Sequence, residues 1–234
     1  MNLTLLTYTH SNTKDLHKIY FDRIKKYFNS VNQIVLCDDL VDYDDISTLI
    51  YNDETKYYQQ MVNGLNNVKT DYVIYSQEDY ILFDYVNLNK INYLINVLNT
   101  DDKISFIRLI YSGIDFKYVD YNDELFYLEP NNQYYFSTQI TIWRTQDLKD
   151  MFIKSKVGSI WEEPNNSFHL KELNKIGLCV KDKGDKIGNH YNSSIYPYIA
   201  TAIVKGKWNN SEYGEKLRPI YNEYKINENS RGVR

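Results

Sequence analysis

The alternation of strand-like and helix-like segments over the first eighty residues constrains the fold most strongly. Residues 3–9, 33–37 and 72–75 are short apolar runs rich in β-branched or aromatic side chains. Between these runs, apolar residues recur at helical spacing, first as Leu16, Ile19, Tyr20, Ile24, Tyr27 and Phe28 and then as Tyr57, Met61 and Leu65. Strands that alternate with helices in this way predict a parallel sheet with crossover helices.

The pattern continues past residue 80 and then becomes less regular. Residues 91–98 carry another helical stripe, and residues 104–110 form another strand-like run. Residues 134–143 predict an antiparallel or edge element. Further helices are predicted over residues 147–152, 164–174 and 217–224. Since no linker or repeat intervenes, we predict one α/β domain over residues 1–234, with a mainly parallel central sheet, helices on both faces and a small antiparallel element.

The charge balance excludes a nucleic-acid backbone as a partner. The 234 residues contain 31 acidic and 27 basic side chains with no basic block, and the net charge is −4. Proteins that bind duplex nucleic acid instead concentrate Lys and Arg on one face. The amino terminus turns polar too early for a signal peptide, and no apolar run reaches membrane-spanning length. We therefore expect a soluble, cytoplasmic protein without a transmembrane segment.

An acidic corner interrupts the third strand-like run. Residues 71–83 read DYVIYSQEDYILF, so that an apolar strand ends in Gln77, Glu78 and Asp79 before the apolar pattern returns. Open α/β sheets bind their ligands outside the carboxyl ends of their strands. Acids at such a position predict contact with the phosphates of a nucleotide or with a divalent cation.

Taken in order, these features resemble the nucleotide-sugar-dependent glycosyltransferases of the GT-A fold. The string YPYIATAIVKGKWNNSEYGEKLRPIYNEYKI near the carboxyl terminus is also similar to a segment of glycan-building transferases of bacteria and large DNA viruses. The resemblance implies a Rossmann-like GT-A fold. Residues 1–110 would bind the nucleotide-sugar donor, and residues 111–234 would bind the glycan acceptor.

The resemblance also implies a divalent cation, Mn²⁺ or Mg²⁺, at the acidic corner. Asp79 is the implied metal ligand, and His190 lies in a late loop of the kind that reaches the metal or the diphosphate. Gln77 stands where the acidic DxD motif of the family has its first acid. Two alternatives follow: a weaker metal site that relies on Glu78 and water, or a metal-independent enzyme that uses cationic side chains. Candidates for that second role are Lys183, Lys186 and Arg231.

Polar residues after the first two strands are candidates for the nucleoside site. Asp38 and Asp39 end the second strand, where the family binds the base or ribose through carboxylate hydrogen bonds. Arg108 lies in an otherwise apolar strand and is difficult to bury without a partner. We therefore expect it near the acidic corner or the substrate. The remaining candidates lie at the end of the first strand and are Thr7, Tyr8 and Thr9.

The catalytic base is predicted beside Trp161. Glu162 and Glu163 follow this residue at the start of a predicted helix and resemble the acidic pair that carries the base in inverting members of the family. We favour Glu163 over Glu162. An ordinary acidic helix start explains the pair equally well. Acceptor contacts are expected from residues 134–143, through Tyr135, Ser137, Thr138 and Trp143.

The prediction is thus an enzyme that transfers a sugar from a nucleotide sugar, UDP-linked by preference, to a hydroxyl of a growing glycan with inversion. A sugar nucleotidyltransferase is an alternative, but the string THSNTKD after the first strand lacks a glycine-rich phosphate loop. A catalytically silent carbohydrate-binding or partner module is a second alternative, and Gln77 in place of an acid is the observation that favours it.

Overall fold

The computed structural model describes residues 1–112 and 119–234. Its strands are β1 (Leu3–Tyr8), β2 (Asn32–Cys37), β3 (Thr48–Ile50), β4 (Tyr72–Gln77), β5 (Ile81–Leu82), β6 (Ile104–Arg108), β7 (Val119–Asp120), β8 (Leu125–Tyr127), β9 (Thr141–Arg144), β10 (Ile176–Val180), β11 (Lys186–Ile187), β12 (His190–Tyr191), β13 (Tyr198–Ile199), β14 (Ile203–Val204) and β15 (Lys207–Trp208). Its α-helices are α1 (Lys14–Tyr27), α2 (Tyr57–Asn67), α3 (Leu88–Thr100), α4 (Thr145–Ser155), α5 (Glu163–Glu172) and α6 (Asn210–Tyr224). Two 3₁₀ turns, Ser11–Thr13 and Glu228–Ser230, complete the described elements.

A nine-stranded mixed sheet forms the centre, in the order β3-β2-β1-β4-β9-β6-β10-β8-β7. In this described sheet, β8 and β9 run antiparallel to the other strands. The mixed α/β fold with a mostly parallel sheet is confirmed. Of the two alternatives predicted for residues 134–143, the antiparallel element is confirmed and the edge element is wrong, because β9 lies between β4 and β6. The strand is confined to Thr141–Arg144.

Helices cover both faces of the sheet, as the alternation of side chains along each strand requires. Leu5 of β1 packs in a core with α1, α3 and α6, and its neighbour Leu6 packs in a second core with α2, α4 and α5. Trp143 of β9 belongs to the second core and Ile142 to the first. Two layers of helices around one twisted sheet follow from this pattern.

The carboxyl ends of β1, β2, β4 and β6 meet at one edge, because these strands run in the same direction. We call this the ligand edge. Short hairpins from the last quarter of the chain pack beside it. The backbone amide of Ala202 donates to the carbonyl of Asp79 over 3.4 Å, and that of Phe83 donates to the carbonyl of Pro197 over 3.0 Å. Among the described residues, no helix is long and apolar enough to cross a membrane.

Close approach of β10 to β6 requires a glycine. A Cβ on Gly177 would lie 2.2 Å from the Cζ atom of Phe106, whose ring stacks on Trp143 at a centroid distance of 4.3 Å. We therefore expect Gly177→Ala to lower the free energy of unfolding by about 1–3 kcal/mol, because a well-packed core must shift. Urea denaturation measures this change.

Gly214 in α6 provides the matched control, because a Cβ there meets its nearest atom at 3.8 Å. Gly214→Ala should raise the free energy of unfolding by about 0.4–1 kcal/mol through reduced backbone freedom in the unfolded chain. Equal losses in both variants would show that the Gly177 contact does not determine stability.

Candidate active site

The acidic corner lies where β4 leaves the sheet at the ligand edge. Gln77, Glu78 and Asp79 are partly buried, and Tyr80 returns at once to the core with 3% exposure. Burial raises the pKa of Asp79 well above the usual value, and the neighbouring charge of Glu78 raises it further. The backbone amide of Ile203 offsets part of this effect by donating to the Asp79 carboxylate. The ionised form of Asp79 is therefore destabilised, and binding of a proton or a cation would offset this cost.

Glu78 is held by different partners. Burial also raises the pKa of its carboxyl, while the hydroxyls of Thr13 and Thr9 donate to it and lower the pKa in part. Thr13 precedes α1 directly, so Glu78 lies at the amino-terminal end of that helix, where a negative charge is favourable. The two adjacent acids thus face different surroundings: Glu78 is bound to the start of α1, and Asp79 contacts the β14 segment.

A cleft of about 640 Å³ opens beside Asp79 at the ligand edge. It brings together four of the predicted site residues, Gln77, Asp79, Arg108 and His190, and Trp161 lines it as well. Its polar wall includes Ser137 and Thr138, which the sequence assigned to the acceptor, and also Ser112, Gln133, Gln139, Asn189 and Thr201. A concave site with converging polar groups beside an acid of perturbed pKa has the features of an active site.

His190 reaches the cleft from the β11–β12 hairpin and is partly buried. Burial lowers the pKa of its imidazole, although the charge of Glu212 acts in the opposite direction. A lowered pKa favours the neutral ring at pH 7, and the neutral ring is the form that binds a metal. Gly188, two residues before it, has a φ of 58°, a conformation that glycine adopts without strain.

Oxygen and imidazole donors in the cleft fit a cation that keeps several waters or phosphate oxygens as ligands. Mg²⁺ sites of this kind need only one or two carboxylates from the protein. Within residues 1–112 and 119–234, a group of three close ligand atoms occurs at His10, Asp38 and Asp53 instead. Asp79 and His190 could therefore supply only part of a coordination shell.

Arg108 holds the wall of the cleft. Its guanidinium donates to the hydroxyl of Ser112 over 2.8 Å and to the carbonyls of Tyr134 and Tyr135 over 2.8 and 3.1 Å. Ser167 of α5 holds the same loop, since its hydroxyl accepts from the amide of Phe136 and donates to Gln133. Arg108 therefore lines the cleft and also holds residues 133–139 in position.

The polar residues at the end of β1 mostly face inward. The hydroxyl of Thr7 bonds to that of Tyr20 at 2.9 Å, and Thr9 bonds to His17 at 2.9 Å. Both threonines are 2% exposed or less, and their hydroxyls fasten α1 to the sheet. Tyr8 is half-buried: it donates to Gln60 and stacks on Tyr51.

Asp38 is bound to the turn that follows β1. Burial alone would raise the pKa of its carboxyl, but the amide and hydroxyl of Ser11 donate to it over 2.6 Å each and hold the pKa below its usual value. Asp39 is exposed and accepts from the amide of Leu40. Neither of these aspartates, nor Glu78, is among the described residues that line the 640 Å³ cleft.

Glu162 closes a turn rather than pointing freely into the cleft. Its carboxylate accepts from the amides of Gly158 and Ser159 over 3.0 Å each, and from the side chain of Asn165 over 3.1 Å. Glu163 begins α5, and its side chain lies outside the described part of the structure. The carboxylate of Glu162 is therefore already engaged by backbone amides of its own turn.

Other predicted candidates have partners of their own. Tyr135 and Trp143 lie in the second core at 0% and 2% exposure. Arg231 pairs with Asp15, and Lys183 lies over the rings of Tyr111 and Tyr191. Lys186 also lies over the Tyr191 ring.

Sequence reasoning missed the amides of the wall, Gln133, Gln139 and Asn189. Gln139 lies inside the predicted acceptor segment, residues 134–143, but was not singled out there, and Gln133 directly precedes that segment. Asn189 follows Gly188 in a turn, which signals a loop but not the site that the loop faces.

No protein family and no curated protein matches this sequence. Among solved structures, TarS 1–349 of S. aureus superposes with a TM-score of 0.51 at 14% identity, covering 97% of this chain and 68% of that one. A longer TarS structure gives 0.55 at 16% identity, covering 99% of this chain and 41% of that one. The chain has a GT-A-like fold. A cytidylyltransferase of Leptospira borgpetersenii superposes with a TM-score of 0.49 at 13% identity over 98% of each chain.

The raised pKa of Asp79 makes stability depend on pH in a defined direction. A carboxyl group with a raised folded-state pKa binds a proton more readily in the folded protein than in the unfolded chain. Its cost to stability is complete above the raised pKa and disappears as the pH falls to the ordinary value. We expect Asp79→Asn to raise the free energy of unfolding by about 0.5–2 kcal/mol at pH ~8, with a smaller gain at lower pH.

Urea denaturation across a pH series measures this effect. Asp39→Asn is the matched control, because Asp39 is exposed on the neighbouring loop and should change stability little. An Asp79→Asn variant that is less stable than wild type at every pH would show that the hydrogen bond from Ile203 outweighs the cost of burial.

Proposed function

We propose that this protein is an inverting glycosyltransferase that transfers a sugar from a nucleotide sugar, UDP-linked by preference, to a hydroxyl of a glycan. The observation that carries the proposal is the position of Asp79, a partly buried carboxylate with a raised pKa at the carboxyl end of β4, in a cleft with Arg108 and His190. The GT-A-like fold supports it, because this edge is where such sheets bind ligands.

The cation held at Asp79 and the nearby Arg108 would neutralise negative charge on the donor diphosphate. Mn²⁺ or Mg²⁺ would be held by Asp79, with His190 or Gln77 beside it, and would neutralise charge on the departing nucleoside diphosphate. Arg108 contributes a fixed positive charge to the same cleft. The raised pKa of Asp79 and the lowered pKa of His190 are both consistent with a site that receives a cation.

In the transfer step, the acceptor hydroxyl attacks the anomeric carbon from the side opposite the diphosphate. The new glycosidic bond forms as the bond to the diphosphate oxygen breaks, and a carboxylate takes the proton of the hydroxyl. We assign that proton to Glu163, because the carboxylate of Glu162 is already engaged by the amides of Gly158 and Ser159. Residues 133–139 and 160–161 would hold the acceptor in the cleft.

Nucleotide binding is the first test. A thermal-shift panel of UDP, GDP, CMP and their sugar conjugates, each with and without MnCl₂, should show one nucleotide class that raises the melting temperature by about 5–10 °C at saturation. The manganese-dependent part of this shift should be absent in Asp79→Ala and retained in Asp102→Ala, because the exposed carboxylate of Asp102 lies before the amino end of β6, at the opposite edge of the sheet.

Two results would contradict the proposal. A chain stabilised by no nucleotide would be a silent glycan-binding module. A chain that forms a nucleotide sugar from UTP or CTP and a sugar phosphate would be a nucleotidyltransferase. A full shift without metal, equal in the Asp79→Ala variant, would remove the cation from the site but leave the transferase assignment.

The assignment of the base is tested by a pair of variants. Glu163→Gln should lower the transfer rate by about 10²–10⁴-fold with donor binding retained, because general-base catalysis contributes about that factor. Glu162→Gln should have a much smaller effect, since a glutamine oxygen can still accept from the two amides. Initial rates of transfer and donor affinity measure both. A fully active Glu163→Gln variant would place the base elsewhere.

A further inference from the structure

Trp161 is far more exposed than the other tryptophans of the chain. Its exposure is 88%, whereas Trp143 and Trp208 are 2% and 1% exposed. Tryptophan is highly buried on average, because its large apolar surface is costly to expose to water. Trp161 also lines the cleft that contains Asp79. Binding clefts are lined by aromatic side chains together with a few polar groups, so the place of this ring in the cleft indicates a binding surface.

The turn that presents Trp161 is firmly held. Glu162 accepts from the amides of Gly158 and Ser159, and the hydroxyl of Ser159 accepts from the amide of Trp161 over 3.3 Å. The carbonyl of Gly158 also accepts from the amide of Tyr57, at the start of α2, over 3.2 Å. These bonds fix the backbone of the turn, so the exposed ring is attached to an ordered support.

The chemistry around Trp161 suits a sugar. Ile160 adds an apolar surface beside the ring, and Gln133, Ser137 and Asn189 offer amide and hydroxyl groups elsewhere on the cleft wall. An aromatic face packs against the C–H face of a pyranose, while amides and hydroxyls donate to and accept from its hydroxyl groups. The cleft wall can therefore bind both the C–H face and the hydroxyl groups of a sugar ring.

The part of the chain that supplies the cleft favours the acceptor over the nucleoside. Among the described residues, those that line the cleft begin at Gln77, and none comes from the ends of β1 and β2, where a nucleoside is expected. We propose that Trp161 is the platform on which a sugar ring of the acceptor glycan stacks, next to the reacting hydroxyl. This inference rests on the proposed function, since it names the acceptor chemistry of the same cleft.

Acrylamide quenching of intrinsic fluorescence tests the platform directly, because Trp161 is the one exposed tryptophan of the three in the sequence. The probes are short oligomers of glucose, N-acetylglucosamine, mannose and galactose, titrated without donor. At least one should protect the fluorescence from acrylamide. By calorimetry, Trp161→Ala should weaken binding of that oligomer about tenfold or more, and Trp161→Phe should restore most of the affinity.

Phe168→Ala is the matched control, because Phe168 is 60% exposed on the adjoining helix α5 and does not line the cleft. It should bind the oligomer with wild-type affinity. If no oligomer protects Trp161 while a nucleotide still raises the melting temperature, the platform is wrong and the proposed function stands.

Two other outcomes would also support or overturn the inference. Protection by UDP and by no oligomer would assign the ring to the donor base and overturn the inference. Protection by an oligomer, with affinity lost in Trp161→Ala but no nucleotide binding, would support the platform and contradict the transferase assignment.

Discussion

The antiparallel course of β9 between β4 and β6 is the constraint on which the cleft depends. Because β4 and β6 both end at the ligand edge, β9 has to begin there, and the residues before Thr141 must cross that edge to reach it. Ile142 pairs with Ile74 on one side and Ile107 on the other, so apolar contacts inside the sheet fix this course. The wall of the cleft is therefore a consequence of strand pairing in the core.

Buried polar groups then hold that wall in place. The guanidinium of Arg108 donates to carbonyls of Tyr134 and Tyr135, and the hydroxyl of Ser167 bonds to the same loop from α5. Removing a buried donor leaves each carbonyl without its partner, at a cost of about 1–3 kcal/mol. The acidic residues of the region also differ in whether hydrogen bonds satisfy their carboxylates. Asp38 and Glu162 are satisfied by backbone amides, whereas Asp79 keeps a strongly raised pKa beside an open cleft.

Local periodicity predicted the frame of the fold. The apolar runs at residues 3–9, 33–37, 72–75 and 104–110 correspond to β1, β2, β4 and β6, and the first helical stripes correspond to α1 and α2. These elements bury one face or both, so their period is visible in a short window of sequence. Residues 134–143 were harder to interpret, because an apolar run does not show which strands will lie on either side of it.

For the site, the sequence by itself determined that acids, a glutamine and an arginine stand at the ends of buried strands, since the change from apolar to charged residues is a local signal. Only the tertiary structure decided that Asp79, Arg108, His190 and Trp161 share one cleft, while Thr7 and Thr9 turn inward to α1. Strand order and hairpin docking depend on contacts between residues far apart in the chain, and those contacts leave no periodic trace in the sequence.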